Sequence, residues 1–174
     1  MIDADGVVHE LLRDVNGLVS GRIAQKFGHG ILTKEGIDRK ELARIVFTDK
    51  KKLKQLEGII HPLVTKIIKD EIKAFLKKRR EGVLVLDVPL LFESGLYKEV
   101  DAVVVVSAKK SIQLRRAAKR LNITLGEAER RLKQQMPLSY KKRLSDFVVD
   151  NNGSLKETKN QVQRLWQRIQ KIKQ

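Results

Sequence analysis

Three short apolar runs, separated by helical patterns, constrain the fold of this chain more than any other feature. The first run, residues 83–87, reads Val-Leu-Val-Leu-Asp and is typical of a strand that is buried on both faces. Similar runs follow at residues 102–106 and 147–150. Because parallel strands need long and usually helical crossover connections, this alternation predicts an α/β fold with a parallel sheet and flanking helices.

Length and composition agree with one folded domain over residues 1–174. The chain has a mass of 19.9 kDa, 41% hydrophobic residues and 33% charged residues, which excludes disordered and low-complexity classes. It has no Cys, and its three His are scattered without ligand spacing, so a zinc site is not expected. No apolar stretch is long enough to span a membrane and no signal peptide is visible, so we expect a cytoplasmic protein without a membrane partner.

The charge indicates phosphate-bearing partners. Lys and Arg number 37 against 21 Asp and Glu, which gives a net charge of +16. Attraction of this kind does not distinguish nucleic acid, anionic lipid and nucleotides. Non-specific attraction to nucleic acid is expected, although aromatic residues make up only 5% of the chain and Tyr140 alone falls within its most basic region, residues 108–145.

Helical segments fill the space between the apolar runs. Residues 38–80 read as helices without strands, interrupted at His61-Pro62, where Pro62 suits the first turn of a new helix. The last helix is predicted to pack an apolar stripe that includes Trp166 on the core. Helix starts have capping-box spacing at three places: Asp38 with Glu41, Thr124 with Glu127, and Ser154 with Glu157.

Several charged residues are candidates for chemistry. Asp3 and Asp5 stand directly before a helical pattern, and the spacing favours Asp5 as the helix cap over a chemical role. Asp87 ends an apolar run, where open α/β sheets bind ligands, and Glu93 follows in the same turn. A metal or phosphate role and a solvated loop acid are both open for these two carboxylates.

Two further sequence features concern phosphate binding: a pair of arginines and the absence of a glycine-rich motif. Arg116 and Arg120 share a helix face and are able to grip phosphate together, although a solvated basic face is the commoner explanation. The phosphate-cradling sequence Gly-x-x-x-x-Gly-Lys-Ser/Thr does not occur. Gly30 and Gly36 come nearest to it, but five residues separate them and Ile37 stands where Lys is required.

Taken together, a set of motifs resembles the dephospho-coenzyme A kinase family from residue 1 to about residue 153. Their order and spacing also match, and the first and fourth motifs make the resemblance specific. The motifs are Ile2-Asp3-Ala4-Asp5, Phe27-Gly28 with Ile31-Leu32, Gly36 and Arg39, His61-Pro62-Leu63, Asp87-Val88-Pro89-Leu90-Leu91-Phe92-Glu93, Gln113 with Arg116 and Arg120, Gln135, and Asp150-Asn151-Asn152-Gly153.

This resemblance implies a P-loop kinase fold, a nucleotide-kinase-like member of the P-loop NTPases. It also implies transfer of the γ-phosphoryl group of ATP to the ribose 3′-hydroxyl of dephospho-coenzyme A, the last step of coenzyme A biosynthesis. Residues 38–80 would bind the acceptor and residues 108–145 would form a lid. The implied roles are proton acceptor for Asp5, substrate or metal orientation for Asp3, a Mg²⁺ contact for Asp87, phosphate contacts for Arg116 and Arg120, substrate contacts for His9, Arg39 and Glu93, and adenine contacts for Asn152 and Gly153.

Two departures from the family pattern shape the functional expectation. Family members carry a strand, the phosphate-cradling loop and a helix ahead of Asp-Ala-Asp, so this chain looks truncated and is expected to be inactive as it stands. His9 stands where the family commonly has Arg and replaces it only in part. We expect a monomer that acts on ATP and dephospho-coenzyme A. The alternatives are a basic nucleic-acid-binding module and a nucleoside or nucleotide kinase with another acceptor.

Overall fold

The computed structural model describes residues 1–78 and 82–172, which divide between two compact units. The first unit, Met1–Ser94, contains β1 (Ile2–Asp3), α1 (Ala4–Arg13), α2 (Leu18–Phe27), β2 (Leu32–Thr33), β3 (Gly36–Ile37), α3 (Arg39–Val46), α4 (Lys50–Lys78) and β4 (Leu86–Asp87). The second, Gly95–Gln174, contains β5 (Val104–Ser107), α5 (Lys110–Leu121), α6 (Leu125–Leu132), α7 (Leu138–Leu144), β6 (Phe147–Asp150) and α8 (Leu155–Ile172). The single domain expected over residues 1–174 stays a prediction.

Each unit contains one pair of parallel strands, which confirms the predicted α/β class. In the first unit β1 pairs with β4, and Asp3 lies opposite Asp87. In the second unit β5 pairs with β6, and the register ends with Ser107 opposite Asp150. Helices α5, α6 and α7 connect β5 to β6, as the need for a long parallel crossover requires.

The strands are covered on one face, and the prediction of strands buried on both faces is wrong. Burial alternates along β5, where Val105 is buried while Val104 and Val106 are exposed. Val83 and Val85, ahead of β4, are exposed as well, and the strand itself is limited to its last two residues. A parallel strand is buried on both sides only where helices cover both sides of its sheet, and this alternation shows cover on one side.

Helix α4 runs without a break through Pro62, so the predicted interruption at His61-Pro62 is also wrong. Pro62 is exposed, and Ile60 and Val64 on either side of it are buried. Proline in a helix interior costs about 3 kcal/mol because it removes one backbone hydrogen bond. Packing of α4 against α1, α2 and α3 offsets that cost, and on the solvent side water is able to satisfy the carbonyl left free.

The apolar stripe of α8 is wider than the surface that covers it. Leu165 and Ile169 are half-buried, whereas Val162 and Trp166 are exposed, so Trp166 is not a core residue as predicted. The helix packs along β6, and a single strand shields only the helix face directly opposite it. Among the described residues, no helix combines the length and the apolar character that crossing a membrane requires.

The three predicted helix caps are confirmed. Asp38 accepts hydrogen bonds from the backbone N–H groups of Lys40 and Glu41 at the start of α3. Reciprocal capping boxes open the two other helices, and they join Thr124 to Glu127 and Ser154 to Glu157. These bonds satisfy backbone donors that have no partner within the helix itself.

A short antiparallel hairpin, β2 with β3, packs tightly against the end of α1. Thr33 Oγ1 donates to the carbonyl of Gly36 at 2.8 Å and closes the turn. Gly36 has a φ of 109°, and a Cβ at this position would overlap the backbone of Leu12 and Arg13. Both the left-handed conformation and the close approach therefore require glycine.

Replacing this glycine is expected to destabilise the first unit. Gly36→Ala should lower the free energy of unfolding by about 2–4 kcal/mol, because backbone strain and overpacking each cost about 1–3 kcal/mol. Gly21→Ala is the matched control, since Gly21 is an exposed position of α2 where a Cβ would meet nothing within 4 Å, and it should stabilise by up to about 1 kcal/mol. Urea unfolding followed by circular dichroism measures both; equal midpoints for Gly36→Ala and the parent chain would contradict this account.

Candidate active site

Two carboxylates stand side by side where the parallel strands of the first unit end. Asp3 and Asp87 are register partners in β1 and β4, and the N–H of Ile2 donates to the carbonyl of Val85 at 2.9 Å. Both carboxyl residues are exposed. Because the carboxyl ends of parallel strands meet at one edge, the backbone ladder holds these two side chains together at the surface.

Asp3, and not Asp5, caps helix α1. Asp3 Oδ1 accepts a hydrogen bond of 3.0 Å from the N–H of Asp5, so the prediction that Asp5 caps the helix is wrong. Asp5 lies in the first turn of α1 and is exposed. Its carboxylate is therefore not used as the helix cap.

The remaining site residues predicted in the first unit lie on three other elements. His9 is half-buried on α1, one helical turn beyond Asp5 and on the same helix face. Arg39 is exposed at the first position of α3. Glu93 is exposed in the turns that follow β4, next to the buried Phe92. Asp3, Asp5 and Asp87 form the best-defined cluster of the unit, which we call the acidic edge.

In the second unit, the ends of β5 and β6 are joined by a network of hydrogen bonds. Asn152 Oδ1 accepts from the N–H of Lys109 at 2.6 Å, and Arg116 donates to the carbonyl of Asn151 at 2.9 Å. Asp150 Oδ1 accepts from both the backbone and the side-chain amide of Asn152 at 2.7 Å. The structure therefore brings Arg116 together with the Asn152-Gly153 loop.

Lys109 and Asp150 were missed as contributors by sequence reasoning. Each stands at or just beyond the end of a parallel strand, and that position was the available signal. Asp150 also sits two residues before Asn152, the spacing at which an Asp side chain accepts from a backbone N–H further along. Their role is to hold the loop in place through backbone and amide hydrogen bonds.

The two acidic residues within residues 108–145, Glu127 and Glu129, form hydrogen bonds and ion pairs that hold the helices in place. The backbone N–H and hydroxyl of Thr124 lower the pKa of Glu127 by hydrogen bonding to it. The Lys110 ammonium, 2.6 Å from Glu129 and aided by Lys133, lowers the pKa of that carboxyl and ties α5 to α6. Both acids are thus ionised at neutral pH and serve a cap and a helix-to-helix contact.

Arg116 and Arg120 remain without an acidic partner. Over the ranges that the structure describes, no carboxylate lies within 4.0 Å of either guanidinium. Both side chains are exposed on α5. Two guanidinium groups one helical turn apart are suited to phosphate oxygens, to which each offers a planar pair of donors.

The acidic edge has the composition expected for magnesium that is shared with a nucleotide. In the described residues, no group of three or more His, Asp or Glu side chains is arranged to hold a metal by itself. Mg²⁺ in kinases is usually held by one or two carboxylates together with substrate phosphates and waters. Asp3 and Asp87 therefore fit a metal that arrives with its nucleotide.

Comparisons with known proteins agree with these features. The family model for dephospho-CoA kinase matches residues 1–157. A dephospho-CoA kinase of Aquifex aeolicus is 39% identical over 97% of this chain and 84% of its own length, and one of Bacillus licheniformis is 40% identical over 98% and 86%.

Solved structures give the same result. The dephospho-CoA kinase from Campylobacter jejuni is 30% identical and superposes with a TM-score of 0.70, covering 99% of this chain and 86% of that one. The Thermus thermophilus protein TT1252 is 26% identical, with a TM-score of 0.71 over 96% of this chain and 83% of its own. The chain therefore belongs to the dephospho-CoA kinase family, a family of kinases in coenzyme A biosynthesis.

Proposed function

We propose that the reaction served by this chain is transfer of the γ-phosphoryl group of ATP to the ribose 3′-hydroxyl of dephospho-coenzyme A. The observation that carries the proposal is the acidic edge, where Asp3 and Asp87 end two parallel strands and Asp5 opens the adjoining helix. Open α/β sheets bind their ligands at this edge. Family membership supports both the reaction and the two substrates.

Asp5 is the proton acceptor in this proposal. The 3′-oxygen attacks the γ-phosphorus, its proton passes to the Asp5 carboxylate, and the bond from the γ-phosphorus to the bridging oxygen breaks to release ADP. Asp3 holds the backbone N–H of Asp5 and so fixes where α1 begins. It therefore positions the base in addition to orienting substrate or metal.

Asp87 and Asp3 are proposed to hold Mg²⁺ on the ATP phosphates. The ion would neutralise charge that develops on the phosphoryl oxygens during transfer. The two residues end neighbouring parallel strands, so the β1–β4 ladder would place both of them at the same edge for the ion.

Residues 108–145 are proposed as the lid and residues 38–80 as the acceptor-binding region. The exposed guanidinium groups of Arg116 and Arg120 would contact ATP phosphates, with Arg116 also donating to the carbonyl of Asn151, and Asn152 with Gly153 would lie near adenine. His9, Arg39 and Glu93 are proposed to contact the acceptor. A closing lid would exclude water, which competes with the 3′-hydroxyl for the phosphoryl group.

A P-loop kinase fold is part of the same proposal. In that fold a glycine-rich loop donates backbone N–H groups and a Lys to the nucleotide phosphates. The 174 residues do not contain its sequence. A polypeptide of these residues alone therefore lacks the main phosphate cradle, whatever its remaining groups contribute.

A nucleic-acid-binding module is less favoured. Tyr140, within the basic run, has the guanidinium of Arg143 at 4.7 Å from its ring centroid. That contact covers one face of the ring and reduces its use as a stacking platform for bases. A kinase with a different acceptor is opposed by the family match over residues 1–157.

The phosphate-cradling loop gives a prediction about activity. A polypeptide of these 174 residues should phosphorylate dephospho-coenzyme A at a rate indistinguishable from a protein-free control, measured by chromatography of the coenzyme A product. Joining a loop-bearing segment of a relative ahead of Met1 should raise the rate by at least about 100-fold, because phosphate positioning and charge stabilisation supply most of this catalysis. Ordinary enzymatic turnover by the 174 residues alone would contradict the prediction.

Asp5 should matter for turnover more than for binding. In the loop-bearing polypeptide, Asp5→Asn should lower kcat by about 100-fold or more while KM for dephospho-coenzyme A changes little, because a general base acts in the transition state. Glu10→Gln removes another exposed carboxylate from α1 and serves as the control, with kcat within about 2-fold of the parent. Similar kcat values for both variants would remove Asp5 from the mechanism.

Two substitutions at Asp3 separate its capping role from its charge. Asp3→Ala should lower the free energy of unfolding by about 1 kcal/mol, since the N–H of Asp5 loses its acceptor. Asp3→Asn keeps an acceptor oxygen and should retain the parent stability, yet lose activity in the loop-bearing polypeptide. Full activity in a stable Asp3→Asn variant would limit Asp3 to the structural role.

A further inference from the structure

The Asn152-Gly153 loop begins where β6 ends, so side chains hold it where a strand ladder no longer does. Asn151 donates its N–H to the carbonyl at the end of β5, 2.7 Å away. In the next residue, Asn152 Oδ1 accepts from the N–H of Lys109, and Nδ2 donates to the carboxylate of Asp150. The side chain of Asn152 therefore braces the loop from within, and the position of the loop depends on how Asp150 is held.

Gln161 on α8 takes the place of a neighbouring strand beside Asp150. Because Asn151 donates to β5, the N–H and carbonyl of Asp150 point to the other side of the strand. Gln161 Oε1 accepts from that N–H at 2.9 Å, and its Nε2 donates to that carbonyl at 2.8 Å. The carbonyl of Glu157 is farther from Nε2, at 3.5 Å, so the bond to Asp150 is the stronger one. Two bonds from one half-buried side chain thus fix the start of the loop.

Thr158, one helical turn before Gln161, gives a second and weaker hold. Its Oγ1 is 3.1 Å from Asn151 Oδ1 and 3.2 Å from the carbonyl of Ser154. A hydroxyl group has one proton to donate, so these two acceptors compete for it. The main hold of α8 on the loop is therefore Gln161.

Arg116 is attached to the same stretch of backbone. It donates from its guanidinium group to the carbonyl of Asn151 at 2.9 Å. In the part of the chain that the structure describes, this is its single hydrogen bond, and no carboxylate lies at ion-pair distance. An exposed arginine has many rotamers, and a fixed acceptor favours those that direct the guanidinium toward it. Gln161 and Arg116 thus bond to two adjoining residues, Asp150 and Asn151.

We propose that Gln161 is a positioning residue for ATP, because it holds Asp150 and thereby the adjoining carbonyl that orients Arg116. The inference rests on the proposed function, in which Arg116 contacts ATP phosphates. Gln161 does not itself touch the nucleotide. A guanidinium group that is already oriented loses less conformational freedom when it binds phosphate, so this hold favours ATP binding. The proposed contacts of the acceptor belong to residues 1–94, and its binding does not depend on Gln161.

The kinetic test uses the polypeptide that carries the phosphate-cradling loop and the variant Gln161→Met, which keeps the side-chain length and removes both hydrogen-bonding groups. KM for ATP should rise by at least about 5-fold while KM for dephospho-coenzyme A stays within about 2-fold of the parent. A merely structural role would lower the amount of active enzyme, and with it kcat, without this difference between substrates. The matched control is Gln163→Met, at an exposed glutamine of the same helix, and it should leave both KM values within about 2-fold.

The route through Arg116 is tested by combining variants. In an Arg116→Ala background, Gln161→Met should change KM for ATP by less than about 2-fold, because the group that it positions is absent. An undiminished rise in that background would overturn the route through Arg116. An unchanged KM for ATP in Gln161→Met alone, or an equal rise for both substrates, would overturn the proposal as a whole.

Amide hydrogen exchange on the 174-residue chain tests the hold itself, without kinase activity. The N–H of Lys109 donates to Asn152 and not to Gln161, so it reports on the order of the loop. In Gln161→Met it should exchange at least about 10-fold faster, while the N–H of the buried Ala128 in α6 keeps its parent rate.

The exchange and kinetic results separate failure of this inference from failure of the proposed function. An equal rate at Lys109 in parent and variant would contradict the hold on the loop, and faster exchange at Ala128 as well would limit Gln161 to a stabilising role. A loop-bearing parent that does not phosphorylate dephospho-coenzyme A would instead contradict the proposed function, and with it the role of Gln161 in ATP binding.

Discussion

Parallel pairing between strands that end in polar residues is the constraint on which the candidate site residues of each unit depend. The hydrogen-bond ladder puts Asp3 beside Asp87 in one unit and Ser107 beside Asp150 in the other. Carboxyl ends of parallel strands meet at one edge, so residues far apart in sequence become neighbours there. The acidic edge and the Asn152-Gly153 loop are both products of this arrangement.

Charge in the second unit is divided between structural and available groups. Glu127 and Glu129 are held ionised by Thr124 and Lys110, and their bonds define where α6 begins and how it meets α5. Among the described residues, Arg116 and Arg120 have no carboxylate at ion-pair distance. A few acids hold the helices of this basic surface in place through their bonds, and the surface keeps its positive potential. A positive potential suits the recognition of phosphate groups.

Local signals in the sequence were informative where the relevant bonds are local. Capping boxes involve residues three apart, and all three predicted caps occur. Predictions that needed knowledge of neighbouring elements were less accurate. Pro62 lies inside α4 because three other helices pack against α4, and Trp166 is exposed because β6 covers only part of the α8 stripe. The cap of α1 is Asp3 where Asp5 was predicted, since two acids two residues apart offered the same local pattern.

The sequence by itself determined the α/β class, the helix starts, the family and the residue types available for phosphoryl transfer. These depend on periodicity, short-range spacing and side-chain chemistry, all of which follow from the order of residues in the sequence. Only the tertiary structure decided that Asp3 faces Asp87, that Arg116 bonds to the loop at Asn151 and that Asn152 accepts from the backbone of Lys109. Strand register and helix packing set those relations, because each brings together residues that are far apart in the sequence.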